Sequence, residues 1–189
     1  MLRPDCIRAV LKHVTIEPII SNLGPATFDL HNIEDRAANL YTWGGMGLVS
    51  SIGLGVALVA KDRKVVVMDG DGSLLMNLGS LATIARQRPP NLVHLVWDNE
   101  LWAETGGQPT HTSTGTDLAA VATAAGISQV ASVTTINELE KTLNRAFRED
   151  GPWCIVAKVE EHGRAPRPTV ESESNLRRFK STFQSPLGK

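Results

Sequence analysis

Apolar and polar positions along the chain follow two periods. Residues 4–14 place Ile7, Val10, Leu11 and Val14 at helical spacing, with Asp5 as the expected cap. Residues 18–24 read as a short strand running into a glycine turn, and a short helix is expected near residues 27–31. Residues 48–60 (LVSSIGLGVALVA) predict a helix of small apolar residues, against which another backbone can pack closely. The runs at 64–68 (KVVVM) and 91–97 (NLVHLVW) are continuously apolar, the pattern of strands buried on both faces. Between them, residues 73–88 predict one helix, with Ser73 as N-cap and Pro89-Pro90 as terminator. Helix 117–125, strand 128–133, an amphipathic helix over Ile136–Arg148 and a last buried strand over 153–159 complete the pattern. Strands alternating with helices predict an α/β fold: a single three-layer domain, its central sheet mostly parallel, with helices on both faces. Residues 1–160 are expected to form this domain, and the polar residues 161–189 a tail or arm.

Composition narrows the class. The 189 residues are 42% hydrophobic and 21% charged, with a formal net charge of -1. That balance argues against a disordered chain and against a basic nucleic-acid binder. The apolar runs are too short to span a bilayer, so no membrane association is expected. Cys6 and Cys154 form no short-spaced pair, which argues against a zinc site or a disulfide framework. The first residues lack the uninterrupted apolar stretch of a signal peptide, and a cytoplasmic protein is expected.

The chemistry concentrates between Val65 and Asn99. One buried strand ends in Met68-Asp69 and runs straight into Gly70-Asp71-Gly72-Ser73 and a helix. The next buried strand ends in Asp98-Asn99. In a parallel sheet both polar clusters fall at the carboxyl edge, where such sheets bind ligands. Gly70 and Gly72 allow close backbone approach, and a helix starting here offers free N–H groups to an anion. Asp71 would repel a bare anion, and a divalent cation held by Asp71 and the Asn99 amide oxygen removes the conflict. Either cluster alone is equally a plain turn; together, at matching strand ends, they point to a site.

Gly70-Asp71-Gly72-Ser73, followed 25 residues on by Asp98-Asn99, resembles the metal and diphosphate motif of the thiamine diphosphate enzymes. Trp43-Gly44-Gly45-Met46-Gly47 resembles the family segment that meets the cofactor's aminopyrimidine, and Thr105-Gly106-Gly107-Gln108-Pro109-Thr110 resembles a segment of the phosphonopyruvate and sulfopyruvate decarboxylases. The resemblance implies thiamine diphosphate and Mg²⁺ as cofactors. Asp71, Asn99 and the Leu101 carbonyl would be the metal ligands, while Gly70, Gly72 and Ser73 would hold the diphosphate with help from Asn22 and Gly24. The Gly44 carbonyl, beside Gly45, would accept a hydrogen bond from the 4′-amino group. Met46 would prop the cofactor in its bent shape, although core packing is the plainer reading of that residue. Thr105, Gly106, Gly107, Gln108 and Thr110 would face the substrate. His111 is either a proton donor or a loop histidine in solvent. Asp98 stands where the family usually has a first asparagine.

The implied reaction is decarboxylation of a 2-oxo acid to CO₂ and an aldehyde. Another two-chain thiamine diphosphate enzyme, a carboligase or a 2-oxo acid oxidoreductase, is the alternative, as is a non-catalytic subunit that kept the fold. The family also needs a pyrimidine-binding domain whose glutamate activates the cofactor. Nothing in the sequence resembles it, and Glu17, Glu34, Glu100 and Glu104 are poor substitutes. A partner (alpha-type) subunit carrying that domain is therefore expected, in a hetero-oligomer. The negative charge of Asp98, Glu100 and Glu104 suits an anionic substrate poorly unless a cation, expected from the partner, offsets it. His13, His31, His94 and His162 are scattered without ligand spacing, and Trp97 and Trp153 read as core.

Overall fold

A computed structural model describes residues 1–161, 163–169 and 171–184; His162 lies outside the described residues. The elements in chain order are α1 (Arg3–Leu11), β1 (Ile19–Ser21), α2 (Pro25–Ile33), β2 (Asn39–Tyr41), α3 (Val49–Val59), β3 (Val65–Gly70), α4 (Asp71–Leu75) and α5 (Gly79–Gln87). They continue with β4 (Leu92–Asp98), β5 (Leu101–Trp102), β6 (Gln108–Pro109), α6 (Leu118–Ala124), β7 (Gln129–Val133), α7 (Ile136–Arg148), β8 (Trp153–Lys158) and α8 (Ser172–Ser181).

Six strands form one parallel sheet in the order β2-β1-β3-β4-β8-β7, and β5 and β6 make a small antiparallel hairpin. Successive strand residues serve opposite faces. Val66 and Met68 pack with α1, α2 and α7 through Ile7, Leu30 and Leu143. Val65 and Val67 pack with α3, α5 and α6 through Leu54, Ile84 and Leu118. Both faces are covered, which is why the strands read as continuous apolar runs. The predicted three-layer α/β domain is what the chain forms. No helix among the described residues is long and apolar enough to cross a membrane.

From β1 the chain steps outward to β2, then returns to place β3 on the other side of β1. This reversal opens a crevice beyond the carboxyl ends of β1 and β3, the usual ligand position in such sheets. Asn22 follows β1 and Asp71 follows β3, so the topology itself brings them together.

Several local expectations need correction. The helix expected over 73–88 is two helices, α4 and α5, broken at residues 76–78. The break lets Asn77 donate its Nδ2 to the Gly47 carbonyl at 3.0 Å. Ser73 is inside α4 rather than its cap; the cap position is Gly70, and the Ser73 hydroxyl accepts the Gly47 N–H at 3.0 Å. Asp5 lies in the first turn of α1, whose cap position is Leu2. The strands β2, β5 and β6 were too short to show in the pattern.

Residues 172–181 of the polar segment form α8, which lies against β2. Asn175 is buried; its amide accepts the Tyr41 N–H at 3.0 Å and donates to the Asn39 carbonyl at 2.8 Å. One side chain thus does for the edge of β2 what another strand would do. Arg178 adds a two-pronged pair with Asp35 at 2.6 and 2.7 Å. The Asn175→Ala variant leaves a buried N–H and carbonyl without partners and is expected to lower unfolding free energy by about 1–3 kcal/mol. Arg177→Ala, which removes only an exposed pair with Glu173, is expected to stay within about 0.5 kcal/mol. Urea unfolding of the two variants checks the contrast.

Candidate active site

The crevice at the carboxyl edge is lined by Arg3, Asn22, Leu23, Pro25, Ala26, Met46, the turn at 70–73, Trp97, Asn99, and residues 101–104. The loop after β1 is tied down first. Asn22 donates its N–H to the Met68 carbonyl at 2.8 Å and accepts the Thr27 hydroxyl at 2.5 Å. Its side-chain Oδ1 is buried without a partner. Gly24 turns the chain into α2 at φ +80, where a Cβ would come 3.0 Å from the Glu104 carboxylate; a side chain there would be strained twice over.

The turn after β3 is held from behind and from the side. Asp69 is fully buried; its Oδ1 accepts the Gly70 N–H at 2.9 Å and its Oδ2 lies 3.2 Å from His94 Nε2. The loop at 43–47 is pinned to α4 by the Ser73 and Asn77 bonds, which carries Met46 to the crevice wall, with Gly44 and Gly45 exposed beside it. Gly72 must be glycine for a reason the motif does not announce: a Cβ would sit 2.2 Å from the Trp102 ring.

Asp71 is the centre of a buried polar network. Its side chain is 1% exposed. Its Oδ2 accepts the Thr110 hydroxyl at 2.6 Å and the Thr112 hydroxyl at 3.2 Å. The single Thr112 hydroxyl proton is shared between Asp71 and the nearer Asp98, at 2.8 Å, and Asp98 pairs with Lys158 at 2.8 Å. Lys158 reaches Glu100 as well, at 2.7 Å. The cation expected from a partner to offset Asp98 and Glu100 is therefore supplied by this chain. Burial pushes the Asp71 carboxyl up to about 6; the Thr110 hydroxyl opposes the rise and the Asp98 charge adds to it.

The other expected site residues fall into two groups. Asn99 stands at the rim, its Nδ2 donating to Glu161 at 2.7 Å and its Oδ1 accepting the Leu101 N–H at 3.3 Å. Leu101 lines the crevice in β5. The segment 105–108 is exposed and closed on itself, Gln108 bonding Thr105 at 2.9 and 3.2 Å, outside the crevice lining. Thr110 faces Asp71 rather than solvent, and is buried. His111 is exposed and meets the Trp102 ring edge-on at 5.4 Å. Sequence reasoning missed Arg3, Thr112 and Lys158 as parts of this site. Trp97 was assigned to the core and is indeed buried there, but it also forms part of the crevice wall.

Among the described residues no group of three His, Cys, Asp or Glu side chains could hold a metal. The expected ligand oxygens are those of the Asp71 carboxylate, the Asn99 amide and the Leu101 carbonyl, all three residues of the crevice lining. That hard but sparse set suits Mg²⁺ completed by ligand phosphate oxygens. The partnerless Asn22 Oδ1, an acceptor on the crevice lining, suits a donor group or a cation.

The raised Asp71 pKa carries a signed consequence for the metal-free chain. The folded state holds this proton more tightly than the unfolded chain, whose carboxyl has the ordinary value of 3.8. Its contribution to stability is full below about pH 4 and is lost as pH rises through about 6. The Asp71→Asn variant escapes that loss. Its unfolding free energy is expected to gain on wild type by about 2–3 kcal/mol between pH 4 and 7, read from chemical denaturation across that range.

Residues 25–157 match the family described as thiamine pyrophosphate enzyme, C-terminal TPP binding domain. The chain is 42% identical over 158 residues to sulfopyruvate decarboxylase subunit beta of Methanocaldococcus jannaschii, covering 83% of each. It is 41% identical over 170 residues to phosphonopyruvate decarboxylase of Streptomyces viridochromogenes, covering 89% of this chain and 42% of that protein. Benzoylformate decarboxylase from Polynucleobacter necessarius shares the fold with a TM-score of 0.69 at 19% identity, over 85% of this chain and 33% of that one. The chain belongs to the thiamine pyrophosphate enzymes, as a member of their C-terminal TPP binding domain family.

Proposed function

We propose that this chain is the diphosphate-binding subunit of a thiamine diphosphate- and Mg²⁺-dependent 2-oxo acid decarboxylase, of the sulfopyruvate or phosphonopyruvate type, which releases CO₂ and an aldehyde. The observation that carries the reading is the single crevice that gathers Asn22, Met46, the 70–73 turn, Asn99 and Leu101 at the topological reversal of the sheet. The names of the relatives at 41–42% identity support the substrate class.

Bound thiamine diphosphate supplies an electron sink for the electrons left when the carboxylate departs as CO₂. In this reading Asp71, the Asn99 amide and the Leu101 carbonyl hold Mg²⁺. Thr110 and Thr112, by bonding Oδ2 of Asp71, aim its carboxyl and favour its ionised form against the effect of burial. Gly70, Gly72 and Ser73 present backbone to the diphosphate, with Asn22 and Gly24 on the opposite wall. Gly44 offers its carbonyl to the pyrimidine amino group, and Met46 supports the ring system. In this reading the loop at 105–111, which follows the crevice-lining residues 101–104, would meet the substrate's far end.

The partner subunit enters through two supports. The archaeal relative is a subunit by name, and the single-chain phosphonopyruvate decarboxylase carries more than half of its length outside the matched part. Two of the chain's own glutamates are engaged elsewhere: Glu17 caps the N–H groups of Thr15 and Ile16, and Glu100 pairs with Lys158. An alpha-type subunit with a pyrimidine-binding domain would supply the activating glutamate. In this reading residues 1–160 are the cofactor-binding domain and residues 161–189 an arm. The two unpaired cysteines go with a reducing, cytoplasmic setting.

Co-purification with the partner subunit, followed by a screen of 2-oxo acids for CO₂ and aldehyde, tests the reading. Sulfopyruvate or phosphonopyruvate turnover is expected only with both chains, thiamine diphosphate and Mg²⁺ present. Asp71→Ala is expected to lower it on the order of 100-fold or more. Turnover by this chain alone would refute the partner requirement, and full activity of Asp71→Ala would refute the metal site.

A further inference from the structure

One cation reaches the crevice from the far end of the chain. Arg3, in the first turn of α1, is 4% exposed and lines the crevice with Asn22, Gly72 and Asn99. Among the described lining residues it is the only cationic side chain; the acidic ones are Asp71 and Glu104. Its Nε donates to Asp29 of α2 at 2.7 Å, and Asp29 is 3% exposed. One N–H of a five-donor guanidinium is spent in that bond.

A second observation points the same way. Trp97, 2% exposed, lines the same crevice, and its indole Nε1 is buried without a partner. An indole N–H only donates, and a buried donor without an acceptor costs free energy. A buried guanidinium and an unpartnered indole N–H together describe a place for an anion.

The charge balance says which anion. A diphosphate carries more negative charge than one divalent cation cancels, and Asp71 adds to the excess. Lys158, the other nearby cation, is already shared between Asp98 and Glu100. We propose that Arg3 is a further diphosphate-binding residue: the Arg3 guanidinium, with the Trp97 indole N–H, takes the terminal phosphate. Asp29 holds Arg3 in place and competes with the phosphate for its charge. This inference rests on the proposed cofactor site. The rival role for Arg3 is a brace that ties α1 to α2 and touches no ligand.

Inorganic pyrophosphate with Mg²⁺ is the probe, because it needs neither a pyrimidine site nor turnover. Titration calorimetry on the full chain is expected to show binding that Arg3→Met weakens about 10–100-fold and Arg3→Lys weakens less. Asp29→Asn, which removes the negative charge of the brace but keeps the cation, is expected to bind within about threefold of wild type or more tightly. In the wild-type chain, the Arg3 Nε–Hε resonance is expected to shift during the titration, a readout that needs no variant to fold. Loss of affinity in Asp29→Asn equal to that in Arg3→Met, or an unmoved Arg3 resonance while pyrophosphate binds, would overturn the inference and leave the cofactor site standing. Absence of any pyrophosphate binding to wild type would overturn both.

Discussion

A carboxylate buried at the end of a strand is the constraint on which the rest of this site depends. Asp71 sits where β3 meets α4, almost without contact with water. Such a group stays ionised only if donors or a cation stand in for the lost solvent. Two threonine hydroxyls meet one of its oxygens, and the chain of bonds runs on through Thr112 to Asp98 and Lys158. The segment after the β5–β6 hairpin is thereby fixed to the turn after β3. The donors shift the balance only partly, since burial still leaves the carboxyl at about 6. In the proposed reading a metal ion would complete what they begin, a structural role as well as a chemical one.

The sheet places this carboxylate without help from the site itself. Parallel strands buried on both faces need covering helices, and the reversal between β2 and β3 opens the crevice beyond β1. Close packing then limits what can line it. Gly72 admits the Trp102 ring, and Gly24 admits the Glu104 carboxylate. Arg164, from the segment after β8, donates to the Ala103 carbonyl, so late residues also steady the wall.

The strands were legible because burial on two faces writes an uninterrupted apolar run, as in Val65–Gly70 and Leu92–Asp98. The turn at 70–73 was legible because its glycines and its acid lie side by side in sequence. Other features were hidden for physical reasons. The break between α4 and α5 goes with a bond between Asn77 and Gly47, 30 residues apart. The edge of β2 is finished by Asn175, 134 residues from Tyr41, and nothing local marks that asparagine as buried. Thr110 read as a donor on an exposed loop because its spacing from the glycines was visible while its distance to Asp71 was not. Arg3 looked like an ordinary charge in a first helical turn, and only the packing of α1 beside α2 brings it to the crevice.

The central claim is that the buried charge of Asp71 is held ready for a cation that arrives with a diphosphate. Carbon-13 NMR of the Asp71 carboxyl measures that directly. With Mg²⁺ and pyrophosphate added, its titration should move from about 6 in the free chain to well below the ordinary carboxylate range. A carboxyl that titrates at the same pH with and without saturating Mg²⁺-pyrophosphate would contradict the account.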